Sequence, residues 1–203
     1  MYYKAYTYKE IARDTSEGVS LSMVKTYLRI TQDNTCEDEL LNNLISTARQ
    51  CFEGFTRRTL IETTFKTYRD IWESIYELRR SPLVSITSVQ YYDVDNVLQT
   101  VDSANYYNTD EEFYSKLIFN NNFDFPTLYE REQAVLITFK AGYADTIDKV
   151  PAKIKTALLE HIMAMYENRG DCEGVFCQNL LPNTAKMVYN QYKIEEIGIY
   201  CNR

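Results

Sequence analysis

His161 is the single histidine among 203 residues, so any Ser–His or Cys–His catalytic pair would have to be built on it. Such a pair works only when the imidazole lies within hydrogen-bond reach of the nucleophile. His161 stands one position before Ile162 in a largely apolar helical stretch, where a partly buried, hydrogen-bonded structural histidine is the ordinary outcome. Cys172 and Cys177 are near each other, but with four residues between them and no second Cys or His pair a zinc site is short of ligands. Asp93, Asp95 and Asn96 begin like a calcium loop. Leu98 then falls where the sharp-turn glycine belongs and Ala104 where the bidentate glutamate belongs, so the segment reads as a hairpin turn. Only 6 glycines are present, and neither a phosphate loop nor a dinucleotide fingerprint occurs among them. These residues predict no enzyme, no cofactor and no metal.

The elements that would position such residues are plainer. From Glu37 to Arg58 the apolar residues Leu40, Leu41, Leu44, Ile45, Ala48, Cys51, Phe52 and Phe55 recur at steps of three and four, one stripe of an amphipathic helix. Asp33, Asn34 or Thr35 could cap it, and Glu37, Asp38 and Glu39 meet the positive end of its dipole. A shorter helix precedes it, with Ser20 as cap and Leu21, Val24, Tyr27 and Leu28 as its apolar face, and the two could form a hairpin joined near Thr31 to Thr35. A third helical stretch runs from Val150 to Arg169. Arg57 and Arg169 each end a major helix, where a cation meets carbonyl ends; a bridge to the sheet or to a neighbouring subunit is the sharper alternative.

Between the helices, Thr63 to Tyr68, Ser74 to Leu78, Val84 to Tyr92, Val97 to Val101, Lys116 to Phe119 and Ala134 to Lys140 are short runs rich in Ile, Val, Thr, Tyr and Phe. They predict a small antiparallel sheet. Its clearest hairpin turns at Asp93 to Asn96, where Asp95 and Asn96 tolerate positive φ. Ser81-Pro82 interrupts one run, and residues 120 to 132 around Pro126 read as a surface loop.

Composition bounds the function. At 45% hydrophobic and 25% charged residues the chain is an ordinary soluble one, of one domain or one domain with an insertion. No apolar run approaches a membrane span, and MYYKAYTYKE lacks the apolar core of a signal peptide, so synthesis in the cytoplasm is expected. Five unevenly spread cysteines suit reduced thiols. With 22 Lys and Arg against 29 Asp and Glu, the net charge of −7 disfavours wrapping DNA, though a chain of this charge could line a passage through which DNA slides. The 18 tyrosines fit either contact surfaces or the base composition of the coding genome.

The blocks LSMVKTYLRI, DELLNNLISTARQCFEGFTRRTL, SPLVSITSVQYYD, AVLITFKAGYA and VPAKIKTALLEHIMAMYENRG, in that order from about Leu21 to Arg169, resemble the head–tail connector (adaptor) family of long-tailed bacteriophages. Members occur in HK97-like phages, related prophages and gene transfer agents. LLPNTAKMVYNQYKI, Leu180 to Ile194, is similar to the Leu-rich C-terminal segment that follows a mobile linker in that family. Glycine is scarcer than is usual there; Asp95-Asn96 stands where Asp-Gly is common.

The resemblance implies a structural virion protein of the neck, made in the host bacterial cytoplasm. It would form a twelvefold homo-oligomeric ring on the portal, dock the head-closure (stopper) or tail-completion protein, and let double-stranded DNA through its lumen without specific binding or membrane contact. The implied fold is α+β: a helical bundle of N-terminal hairpin plus C-terminal helix, an inserted small antiparallel β-sheet and a mobile tail. The corresponding segments are an arm and hairpin at 1–60, a β-rich insertion at 61–149, a closing helix at 150–170 and a portal-docking tail at 171–203.

Tail residues implicated in docking are Leu180, Leu181, Pro182, Val188, Tyr189, Tyr192 and Ile194. An amphipathic segment on a polar linker can order only on its partner, or it can pack on its own helices; periodicity alone serves both. Ring closure needs two different patches on each subunit. Candidate wall residues are Tyr27, Arg49, Glu53, Arg57, Lys153, Glu160, Tyr166 and Arg169, with plain solvent exposure as the alternative. A competing function is an interaction module that recruits an assembly factor without staying in the particle, and a weaker one is a nucleic-acid-binding protein.

Overall fold

The computed structural model describes residues 8–13, 15–110, 115–143, 145–168 and 181–194. Among these the chain forms four α-helices and eight strands, all strand pairs antiparallel, and divides into two compact units. One unit comprises Met1–Glu17 and Thr59–Val150, the other Gly18–Arg58 and Pro151–Arg203.

The first unit is built on period-two patterning. In β2 (Thr63–Arg69) residues 63, 65 and 67 are buried while 64, 66 and 68 are half-buried, as one covered face requires. With β1 (Tyr8–Arg13), β4 (Leu83–Tyr92), β5 (Leu98–Thr100) and β8 (Val135–Ala141) it makes a five-stranded sheet in the order β1-β2-β8-β4-β5. A second sheet has the order β3-β7-β6, from Ile75–Leu78, Ser115–Phe119 and Tyr106–Asp110. Phe65, Val89, Ile137 and Phe139 of the first sheet and Tyr76, Leu117 and Phe119 of the second belong to one buried cluster. The α+β class and the antiparallel pairing are as expected, but the strands divide between two sheets where one small sheet was expected. Two strands carry the difference: β1 and β6 are edge strands with little buried alternation, so their sequences look like arm and loop. Because β1 pairs with β2, the N-terminal arm joins the sheet and not the helical hairpin with which it was grouped at 1–60.

The β4–β5 hairpin turns at Asp93–Asn96 as predicted, with Asn96 at φ 59. Asp93 accepts hydrogen bonds from Gln99, Val97 N and Asp95 N, and these hold its carboxyl below the usual carboxylate range. Residues 120–132 run over the surface but are pinned. Trp72 Nε1 donates to Pro126 O at 2.8 Å, and its ring contacts Phe119, Phe123 and Phe125.

The second unit is helical. In α1 (Leu21–Tyr27) Ser20 accepts from Met23 N at 3.2 Å, the predicted cap. For α2 (Asp38–Thr56) none of the three candidate side chains caps: Glu37 is the cap residue and its side chain makes no capping bond, whereas Asn34 Oδ1 accepts from Cys36 N and Thr35 O from Asp38 N. Across this turn buried Lys25 reaches Asp38 at 2.6 Å and donates to Gln32 O. Next come α3 (Ala152–Glu167), which follows Pro151, and α4 (Asn183–Tyr192), which follows Pro182. No helix among the described residues is long and apolar enough to cross a membrane.

Candidate functional site

Ala185, Val188, Tyr189 and Tyr192 recur at steps of three and four, so α4 has one apolar side. That side is occupied within the helical unit. The Tyr189 ring meets Phe52 of α2 edge-on at 5.0 Å and lies 6.0 Å from Phe55, and its hydroxyl is 3.2 Å from His161 Nδ1 of α3. Both partners of that hydrogen bond are almost wholly buried, Tyr189 at 0% and His161 at 1% exposure. Burial pushes the Tyr189 hydroxyl well above the usual phenol range and lowers His161 to about 4, so the imidazole is neutral at ordinary pH. Its Nε2 has no hydrogen-bond partner among the described residues. With one nitrogen on a buried phenol, the neutral imidazole acts as a structural tie between α3 and α4.

The C-terminal end of α4 is fastened separately. Arg58 Nε donates to Tyr192 O at 2.6 Å, Ile194 N donates to Thr56 O at 2.9 Å, and Lys193 lies over the Phe55 ring. At the other end the Thr184 hydroxyl donates to Glu160 of α3. Over residues 183–192 the tail expected to wait for a partner is thus a packed helix, because Tyr189 finds an aromatic bed on α2 and a partner on α3, and Ile194 just beyond it is buried. Of the docking residues, Leu181, Pro182, Val188 and Tyr192 keep partial exposure, while Tyr189 and Ile194 are buried. Leu180 lies outside the described residues, as do Arg169, Cys172, Cys177 and the linker at 171–179.

The wall candidates separate in the same way. Tyr27, Arg57 and Lys153 are exposed. Arg57 adopts a left-handed backbone, φ 62, and its N–H donates to Glu53 O, so it closes α2 as a C-cap. Glu160 and Tyr166 are half-buried, Glu160 held by Thr184 and Tyr166 donating to Glu37 at 2.6 Å. Arg49 and Glu53 point inward and bond each other at 2.9 Å, with side chains 8% and 11% exposed. Their inward position follows from helical period: 45, 49, 52, 53 and 56 share the buried arc of α2. An Arg and a Glu four apart, interleaved with Ile45, Phe52 and Thr56, was the available signal. Sequence reasoning also passed over Arg58 as an anchor and Met187, which is 65% exposed on the outer side of α4.

What this arrangement offers is a packed helix with an accessible outer side. Among the described residues no group of three His, Cys, Asp or Glu side chains is placed to hold a metal ion. Cys36 is an exposed free thiol, and Cys51 is half-buried on α2.

Residues 19–132 match the family described as phage gp6-like head-tail connector protein. No curated protein is significantly similar to the chain. Among solved structures, the chain resembles one from the neck of an empty gene transfer agent particle computed with C6 symmetry, at TM-score 0.78 and 17% identity over 95% of this chain and 98% of that one. It also resembles a chain of the virion of a native gene transfer agent particle, at TM-score 0.75 and 18% identity over 95% and 97%. A third likeness is to a chain of the neck of the native particle computed with C12 symmetry, at TM-score 0.72 and 15% identity over 95% and 98%.

Proposed function

The chain belongs to the phage gp6-like head–tail connector family, and from that membership we propose that it is a structural protein of the neck of a phage-like particle, forming a ring on the portal. The observation that carries this reading is the family match over residues 19–132, joined to a fold that follows neck chains over 95% of its length. Symmetry in those necks supports a ring, in which identical subunits use two different patches and the rotation between neighbours closes. On this reading the ring is twelvefold in the particle, its lumen passes double-stranded DNA, and its far side receives the head-closure or tail-completion protein.

Portal contact is assigned to the C-terminal segment. Tyr189 and Ile194 hold α4 to its own unit, and Leu181, Pro182, Val188 and Tyr192 with Met187 form the accessible remainder that a portal surface would cover; Leu180 belongs to the same segment by sequence. Ring contacts are assigned to Tyr27, Arg57, Lys153, Glu160 and Tyr166, which retain exposure, with Arg169 included by sequence alone.

Native mass spectrometry of the chain with and without purified portal tests the proposal. A portal-bound multimer is expected for the natural chain, and Met187→Asp should abolish capture while leaving the melting temperature unchanged. Capture of the variant at natural strength would remove the C-terminal segment from the contact. Failure of portal to bind the natural chain, together with tailed particles formed in its absence, would end the connector reading.

A further inference from the structure

The outer face of the five-stranded sheet is basic in a chain whose net charge is −7. Strand register lays out its rows. Ala12, Thr64, Lys140 and Ser85 form one; Lys9, Lys66, Thr138 and Ser88 the next; Tyr68, Leu136, Gln90 and Thr100 the third. Directly paired residues point to the same side, so these twelve positions share a face opposite buried Phe65, Ile137 and Phe139. Three of the twelve are lysines, none is a carboxylate, and most of the rest carry hydroxyls.

Lys9 and Lys66 stand opposite each other across β1 and β2. Like charges so placed destabilise a sheet. Neither lysine has an ion-pair partner among the described residues, and Lys140 has only Glu62 at 3.5 Å. Its side chain is 49% exposed. An anion laid across the rows relieves that repulsion.

We propose that this face is a non-specific contact surface for the phosphate backbone of double-stranded DNA, with Lys9, Lys66 and Lys140 bearing the charge. Strand geometry spaces neighbouring lysines about 5 to 8 Å apart, a spacing suited to successive anionic groups. Ser and Thr hydroxyls beside them donate to phosphate oxygens. Flat rows of strand residues do not enter a groove and read bases, so contact is with the backbone only. Tyr68 on β2 and Tyr92 on β4 are its aromatic residues, in different rows with β8 between them, which does not make the stacked platform that single strands need. Leu136 is buried and the exposed Leu98 lies on the β5 edge away from the lysines, so an apolar protein anchor finds little purchase beside them. The inference rests on the chemistry of this face and is independent of ring formation and portal binding.

Fluorescence anisotropy with a labelled mixed-sequence duplex, using the isolated full chain between 20 and 200 mM salt, tests it. Three phosphate contacts predict a slope of log K against log salt of about −2.7, or a loss of about 40-fold from 50 to 200 mM. Combined Lys9→Gln, Lys66→Gln and Lys140→Gln should remove that binding with unchanged melting, and Lys66→Gln alone should flatten the slope by about 0.9. A control with Lys155→Gln and Lys186→Gln should bind as the natural chain does. The proposal is overturned if the natural chain ignores duplex at 20 mM salt, or if the triple variant keeps the natural slope. It is equally overturned if polyglutamate competes as well as duplex at matched charge, an outcome that assigns the face to an acidic protein.

Discussion

The sheet unit and the helical unit are stabilised differently. In the sheet unit the shared core is aliphatic and aromatic, and its buried polar residues are hydroxyls such as Thr63, Thr67, Ser81 and Ser115. The helical unit buries Lys25, Arg49, Glu53, Arg58 and His161. Two strand faces supply enough apolar area for a core that needs only shape, whereas short helices meet along narrow stripes and draw charged side chains into the seam. The contrast teaches where each unit is vulnerable: the sheet unit to changes of volume and backbone shape, the helical unit to loss of a partner or gain of a proton.

Phe139→Ala strikes the first vulnerability hardest. Opening a cavity beside Phe65 should lower unfolding free energy by about 3–5 kcal/mol, read from urea unfolding, and a cost below about 1 kcal/mol would break the comparison on the sheet side. Arg49→Ala probes the second. Taking the Arg49 guanidinium away from the Glu53 carboxylate in the seam should cost about 3 kcal/mol, and the double change Arg49→Met, Glu53→Leu should recover most of it. If the double variant is no better than the single one, the pair is doing something other than satisfying itself.

Acid should separate the units by a comparable amount. The folded value for His161, about 4, lies below its unfolded value near 6.5, so the unfolded chain binds the extra proton between them. The stabilising effect of a neutral His161 is therefore complete above pH 6.5 and lost as pH falls toward 4, by at most about 3 kcal/mol. Unfolding measured at pH 7, 5.5 and 4.5 should be steeper in pH for the natural chain than for His161→Gln; parallel profiles would contradict a buried neutral imidazole. The smallest effect is expected at Gly142, where φ is 150 and an added Cβ would lie 2.6 Å from Glu62 N. Gly142→Ala should cost about 2 kcal/mol with no change in pH profile, which marks it as a sheet-side lesion.

Much of this was legible from residue order. The long helix appears within two residues of its predicted ends, α1 begins at its predicted cap, and six strand runs fall close to their predicted places. Periodicity makes such segments readable because each buries one face whatever covers it. β1 and β6 were not legible, since edge strands take their structure from a neighbour's unpaired backbone more than from a buried side-chain pattern. The candidate site was half legible. Val188, Tyr189 and Tyr192 were recognisable as an apolar stripe, but whether that stripe met a partner or its own helices was not.

Local sequence determined the helix and strand segments, the hairpin at Asp93–Asn96 and, through the order of five blocks, the resemblance to connectors. Tertiary structure decided which surfaces remained available. It turned Arg49 and Glu53 inward, seated Tyr189 between Phe52 and His161, and set Lys9 against Lys66 in register. The physical reason is that patterning records how strongly a side chain avoids water, while its neighbour is set by packing between residues distant in the chain.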